Sequence, residues 1–323
     1  MKKQLSKRIA VVGSGFVGRA TGKGMLQKGH KVVFFDVQAK VINNLASAGY
    51  AARHIETIAE TDDDFDIFML SVWTPTVRRH VVLRHIEAAA KEVGKALRKT
   101  TADFPLVVIR STVPPGTIEK KLIPILEKFS GKKVTEDFGV CMNPEFLREI
   151  SADEDYAHPW VVVIGADDEL SGLLLGKVYE DFDAPIYHMS LKEAEMMKYV
   201  HNLLNATKIS FFNEMRMVGD RLQLNSDLVF KTVLKSAEAM WNPEYGTRNF
   251  GPFSGSCLPK DTMAFLNWTS EELDFELPVL KGVIRTNDLL KGSLENDSLK
   301  KIQTLNEPKR LYSKKYSPSF ANY

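Results

Sequence analysis

The stretch RIAVVGSGFVGRATGKGMLQKGHKVVFFDV, residues 8–37, constrains the fold more than any other part of the chain. It has the order strand, glycine-rich turn, helix, strand and acid. Ile9 to Val12 are β-branched or small, Gly29-His30 closes the helix, and Val32 to Phe35 form a second strand ended by Asp36. Gly13, Gly15 and Gly18 fall at GxGxxG spacing. The first permits a tight turn, the second lets the backbone approach a pyrophosphate, and the third lets helix and strand pack closely. Phe16 and Val17 lie in the first helical turn, where free N–H groups and partial positive charge face the phosphates. A GxGxxG alone also occurs at ordinary helix–strand turns; the complete unit specifies a dinucleotide site. Asp36 follows Gly18 by 18 residues, where a carboxylate accepts from both ribose hydroxyls and repels a 2′-phosphate. NAD is therefore expected rather than NADP.

Further strands follow in the same style. FDIFMLSV (65–72) runs into Trp73-Thr74-Pro75-Thr76, and PLVVIRST (105–112) into Val113-Pro-Pro-Gly116. Ligands of an open parallel sheet lie beyond the carboxyl ends of its strands, so Thr74, Thr76, Ser111 and Thr112 are cofactor candidates. Capping or turn formation is their plainer use. VTEDFGVCMNPEFL and WVVVIGADD supply two more strands, which carries this α/β domain to about residue 190.

At 323 residues the chain is long for one core, and two domains are expected. A net charge of +2 gives no reason to expect nucleic acid or a membrane surface as partner. Two cysteines make no disulfide framework, and neither stands in a metal-binding CxxC pair, so no metal is expected. The basic N-terminus is interrupted by glycines too early for a signal peptide, and no apolar run reaches the length of a membrane span. A cytoplasmic setting is the expectation.

Four segments then combine: STVPPGT (111–117), NPEFLREISA (143–152), EAEMMKYVHNLLNATKISFFNEM (193–215) and GSCLPKD (255–261). In this order behind a GxGFVG start, the chain resembles the UDP-glucose/GDP-mannose dehydrogenase family from residue 8 to about residue 290. The resemblance implies NAD-dependent oxidation of the C6 alcohol of a nucleotide sugar to a carboxylate, with two NAD per turnover and the intermediate held on a cysteine. By motif match Cys257 is the nucleophile, Glu145 the acid/base glutamate and Glu149 the glutamate near the nicotinamide. Lys198 and Asn202 are the helical pair at the reacting carbon, Asp261 the aspartate beside the cysteine, and Lys260 a lysine near the cofactor. Thr112 joins the catalytic set. Glu145, Phe146, Leu147, Lys198, Asn202, Arg248, Phe250 and Ser254 are expected along the substrate. A homodimer is implied through the long helix.

The chemistry is coherent on its own terms. An alcohol loses one hydride to give an aldehyde, which offers no second hydride until something adds to it. A thiolate adds to form a thiohemiacetal; its hydride leaves, and water hydrolyses the resulting thioester. That needs a nucleophile, a cation for the oxyanion and a base for water, which Cys257, Lys198 and the Glu145 and Asp261 carboxylates supply. Lys198 and Asn202 stand at i and i+4 on one helix face. Flanking Met196, Met197, Val200, Leu203 and Leu204 make that helix read as substantially buried, and a structural salt bridge is the alternative role for Lys198. Cys141, in FGVCMNP, reads as core.

Departures from the family pattern limit the substrate. Its cysteine loop has Phe-Gly-Gly-Ser-Cys, where this chain has Ser254 at the first glycine, and Trp241 stands where an arginine is common in UDP-glucose members. Arg248 is the nearest replacement. After LPVLKGVIRTNDLLKG only about 30 residues remain, whereas the family's third, nucleotide-holding domain needs on the order of 100. The expected organisation is a Rossmann-type NAD domain (1–190), a smaller all-helical substrate and dimerisation domain (191–295), and a basic, weakly patterned tail (296–323). UDP-glucose is the first expected substrate and GDP-mannose the second. The alternative is a non-catalytic dinucleotide-binding protein, or a subunit completed by another chain.

Overall fold

The computed structural model describes residues 6–77, 80–148, 151–236, 252–253, 263, 266, 270–271 and 273–295. Among these, ten strands occur in chain order: β1 (Arg8–Val12), β2 (Lys31–Asp36), β3 (Ala52–His54), β4 (Ile67–Leu70), β5 (Thr76–Val77), β6 (His80–Val81), β7 (Leu106–Ile109), β8 (Gly139–Met142), β9 (Val162–Gly165) and β10 (Ile186–Met189). Eight of them form one sheet in the order β10-β9-β8-β7-β4-β1-β2-β3, while β5 and β6 make a separate antiparallel pair.

From β3 to β8 every neighbour is parallel. The crossovers are α1 (Phe16–Gln27), α2 (Ala39–Ser47), α3 (Arg84–Lys99) and α4 (Ile123–Ser130), the last entered through a wide helical turn at Ile118–Leu122. Helices α5 (Ala152–Ala157) and α6 (Glu169–Tyr179) flank β9 in sequence. A parallel sheet covered on both faces needs strands that are apolar throughout, and β4, β7 and β8 are buried at every residue. Alternate side chains feed two cores. Val12, Phe68, Leu70 and Ile109 pack with Ile86, Val93, Leu97 and Leu126 of α3 and α4. Val11, Ile67, Met69 and Cys141 pack on the opposite face with Met25 of α1 and Leu175 of α6. Cys141 is fully buried, and burial pushes its thiol well up from the usual range.

The sense of the sheet changes at β9. It runs antiparallel to β8 through the pair Met142–Gly165, and β10 is parallel to β9. Residues before Gly165 therefore lie beside those after Met142, and the Asn143 side-chain amide donates to the Val163 carbonyl at 2.7 Å.

The long helix α7 (Leu191–Arg221) follows, then α8 (Ser226–Val233) and α9 (Pro278–Glu295). The chain divides into two compact units between Leu203 and Leu204, inside α7. The regular elements described in the second unit are helices, and side chains close the starts of α8 and α9. Asn225 Oδ1 accepts from Leu228 N at 3.1 Å to start α8, and Glu214 Oε1 accepts from Val279 N at 2.6 Å to start α9.

The burial expected of α7 is found in part, with Met197 packed against the core. Met196, Val200 and Leu204 are 51%, 50% and 63% exposed, whereas Leu191, Ala194, Glu195 and Lys198 are buried. These three share one i, i+4, i+8 face, and the face turned to the sheet carries an acid and a lysine beside Leu191 and Ala194. No helix among the described residues is long and apolar enough to cross a membrane.

Candidate active site

The turn after β1 gives each of its glycines a different task. Gly13 has φ +85, and a Cβ there would stand 2.8 Å from the Ser71 carbonyl oxygen at the end of β4. A Cβ on Gly18 would come within 1.9 Å of the Gly13 carbonyl oxygen, so α1 reaches the turn only without one. Gly15 is the opposite case: a Cβ there meets nothing within 4 Å, because the loop faces open space. Gly15 is also the N-cap of α1, without a side-chain cap and with no acid in the first turn, so the helix end at Phe16 and Val17 keeps its positive character for a ligand.

Asp36 ends β2 beside this loop. Its Oδ2 accepts from Ser14 N at 2.7 Å and its Oδ1 from Gln38 N at 2.9 Å, which fixes the carboxylate and leaves further lone pairs for hydroxyl donors. The empty cradle over Gly15, the uncapped helix and the fixed acid fit a dinucleotide. Asp36→Ala is expected to lower the ratio of NAD to NADP affinity by about tenfold or more, worth ~1.4 kcal/mol. Paired fluorescence titrations read that ratio, and an unchanged value would remove Asp36 from the ribose.

The polar residues after β4 and β7 hold these two loops to each other. Thr74 Oγ1 donates to the Thr112 carbonyl at 2.8 Å, and Ser111 Oγ to the Val72 carbonyl at 2.7 Å. Thr76 opens β5. Exposed Trp73 stands between these contacts, next to Val72, whose backbone faces Gly13. The sequence reading did not single it out.

At the end of β8, two residues far apart in sequence meet. The Lys198 ammonium lies 3.1 Å from Glu145 Oε1 and also donates to the Glu145 carbonyl, with the two side chains 6% and 15% exposed. Glu145 Oε2 accepts from Leu147 N at 2.8 Å. Phe146 presents its ring to the Lys198 ammonium at 5.2 Å and meets His201 at 4.9 Å and Trp160 at 5.1 Å. Burial and the Lys198 charge both lower the His201 pKa, so its ring is neutral at neutral pH. Asn202 is exposed.

Three supports around this pair were missed. Arg110, buried at the end of β7, donates to the Asn143 side-chain oxygen and to Tyr179 Oη at 3.0 Å, so the residue two before Glu145 is held from below. Arg148 and Ser151 both bind Asp155, whose carboxyl the guanidinium holds at about 2. The third support is Glu195 on α7, whose carboxylate takes the amides of Gly116 and Ile118. It thereby fills the start of the helical run that leads into α4. Its signal was available in EAEMMKY, where Glu195 precedes Lys198 by one turn. Glu149, Arg248, Phe250, Ser254, Cys257, Lys260 and Asp261 lie outside the described residues.

The chain is similar to known proteins over most of its length. The NAD binding domain model of the UDP-glucose/GDP-mannose dehydrogenase family matches residues 51–183, and its central domain model matches residues 192–289. The GDP-mannose 6-dehydrogenase of Pseudomonas putida is 37% identical over 300 residues, 87% of this chain and 68% of the relative. A UDP-glucose 6-dehydrogenase of Bacillus subtilis is 31% identical over 314 residues, 91% of this chain and 69% of the relative. Among solved structures, a ternary complex of GDP-mannose dehydrogenase from Pseudomonas aeruginosa superposes with a TM-score of 0.81 at 33% identity, covering 88% of this chain and 69% of that one.

Proposed function

The chain belongs to the UDP-glucose/GDP-mannose dehydrogenase family, and from that premise we propose that it oxidises the primary alcohol of a nucleotide sugar to a carboxylate. NAD, when bound, supplies the hydride acceptor for each of the two oxidations. The observation that carries the reading is the contact between Lys198 and Glu145 at the carboxyl edge of the sheet. An ammonium held in a nearly dry site stabilises the oxyanion that develops at the reacting carbon. The carboxylate beside it accepts the proton released from water when the acyl group is hydrolysed.

The chain of bonds closes as follows. The alcohol gives up a hydride and a proton to become the aldehyde. The Cys257 thiolate adds to that carbonyl carbon, and the oxygen takes a proton. Loss of the second hydride and of that proton leaves a thioester. Water then adds, the carbon–sulfur bond breaks, and the sulfur leaves as the thiolate.

GDP-mannose is the first substrate we propose, ahead of UDP-glucose. The identity of 37% to a GDP-mannose enzyme against 31% to a UDP-glucose enzyme supports this order, which reverses the one expected from the family's commoner substrate. Absorbance of NADH with GDP-mannose, UDP-glucose and related sugars tests the function. Mass spectrometry of the intact chain with NAD and each sugar looks for an acyl adduct on Cys257. Two NADH per sugar with an adduct at that residue is the expected result; no turnover across the panel overturns the proposal.

A further inference from the structure

We infer that Glu195 is a positioning residue that locks the loop carrying Ser111 and Thr112 to the same helical turn that holds Lys198 against Glu145, so that the two halves of the site move together. The inference builds on the proposed function for its meaning in catalysis, but its geometry is independent of any substrate.

Glu195 is fully buried. Its Oε1 accepts from Ile118 N at 2.9 Å and its Oε2 from Gly116 N, in the turn where Gly116 takes φ +84. Among the described residues, the charged groups facing it are Glu119 and Lys192, which pair with each other at 2.9 Å, and the Tyr199 phenol also lies within its field. Burial pushes the Glu195 carboxyl pKa up, and the two amides offset part of that effect. A buried carboxylate is costly, and an apolar side chain would fill the same space without that cost. What the carboxylate provides instead is two directed acceptors that fix the 113–118 turn in register with α7.

Lys198 lies three residues further along, so both side chains leave one face of the helix. One arm fixes the loop after β7 and the other the loop after β8, with a single rigid turn between them. The Thr112 carbonyl is in turn bonded to Thr74, which extends the connection to the loop after β4. Displacement of either arm is expected to be felt at the other.

Amide hydrogen exchange on the full chain reads both arms without substrate. Gly116 and Ile118 report the Glu195 arm, and Leu147, whose amide is held by the Glu145 carboxylate, reports the Lys198 arm. Glu195→Gln keeps the size but points an amide NH2 at one of the two donors. Exchange at Gly116 and Ile118 should rise about tenfold or more, and Leu147 should follow, while Gly15 to Gly18 stay unchanged. In turnover, kcat should fall about tenfold with little change in KM for NAD. Coupling between two sites is mutual, so Lys198→Met must raise exchange at Gly116 and Ile118. This second variant decides the matter if Glu195→Gln does not fold. Exchange confined to the mutated arm in either variant overturns the coupling. Absence of turnover in the unaltered chain, with exchange still linked, overturns the proposed function alone.

Discussion

Lys198→Met is expected to lower kcat by about 10²–10³-fold, the usual effect of removing one oxyanion stabiliser. Methionine keeps most of the aliphatic stem, so the change isolates the charge. The ammonium is the cation that forms a salt bridge with Glu145, and the Arg110 guanidinium acts on that carboxylate from further away. Removing the ammonium also leaves that carboxylate, 15% exposed, without its partner, and loss of one member of a buried pair typically costs about 3–5 kcal/mol. The melting temperature should therefore drop along with the rate. The two effects separate because kcat, normalised to folded enzyme at a temperature well below melting, is blind to stability. A variant with lowered melting temperature and kcat within about threefold of the parent would make Lys198 a structural ion pair.

Gly18→Ala and Gly15→Ala should differ in kind. The alanine Cβ at position 18 would sit 1.9 Å from the Gly13 carbonyl oxygen and 3.3 Å from Val11 Cγ1, so α1 must move away from β1. Overpacking of this sort costs about 1–3 kcal/mol, and the shift displaces the helix end that receives phosphate. Both melting temperature and NAD affinity should fall, the affinity by about two orders of magnitude, worth ~2.7 kcal/mol. Position 15 offers open space, so its alanine should leave the melting temperature within a degree or so while weakening NAD by an amount set only by crowding of the pyrophosphate. Calorimetric melting and NAD titration of both proteins check this. If Gly15→Ala bound NAD as tightly as the parent, the pyrophosphate would not lie over that glycine.

The sequence made the first unit legible because its signals are local. GxGxxG, the apolar strands and Asp36 each depend on a few adjacent residues, and β1, β2, β4 and β7 lie within the expected stretches. The Lys198–Glu145 contact was visible only as two separate motif members, since nothing in either segment states that they touch. Glu195 was hidden by the assumption that a helix rich in methionine and leucine turns those residues inward. On α7 the buried face is mixed, with Glu195 and Lys198 reaching Gly116 and Glu145 beside Leu191 and Ala194. Local pattern also failed at β9, where WVVVIG reads the same whichever way the strand runs.

That reversed strand changes which part of the chain borders the chemistry. For β1, β4, β7 and β8 the site-lining residues come after the strand, so a designer looks downstream. The chain enters β9 at the edge where the others leave, and the residue beside Phe146 and His201 is Trp160, which precedes the strand. Variation at Trp160, upstream of β9, is thus expected to reach the aromatic cluster beside Lys198. The antiparallel run of one strand thereby brings the end of an ordinary connecting segment, Trp160, to the edge where the other strands finish.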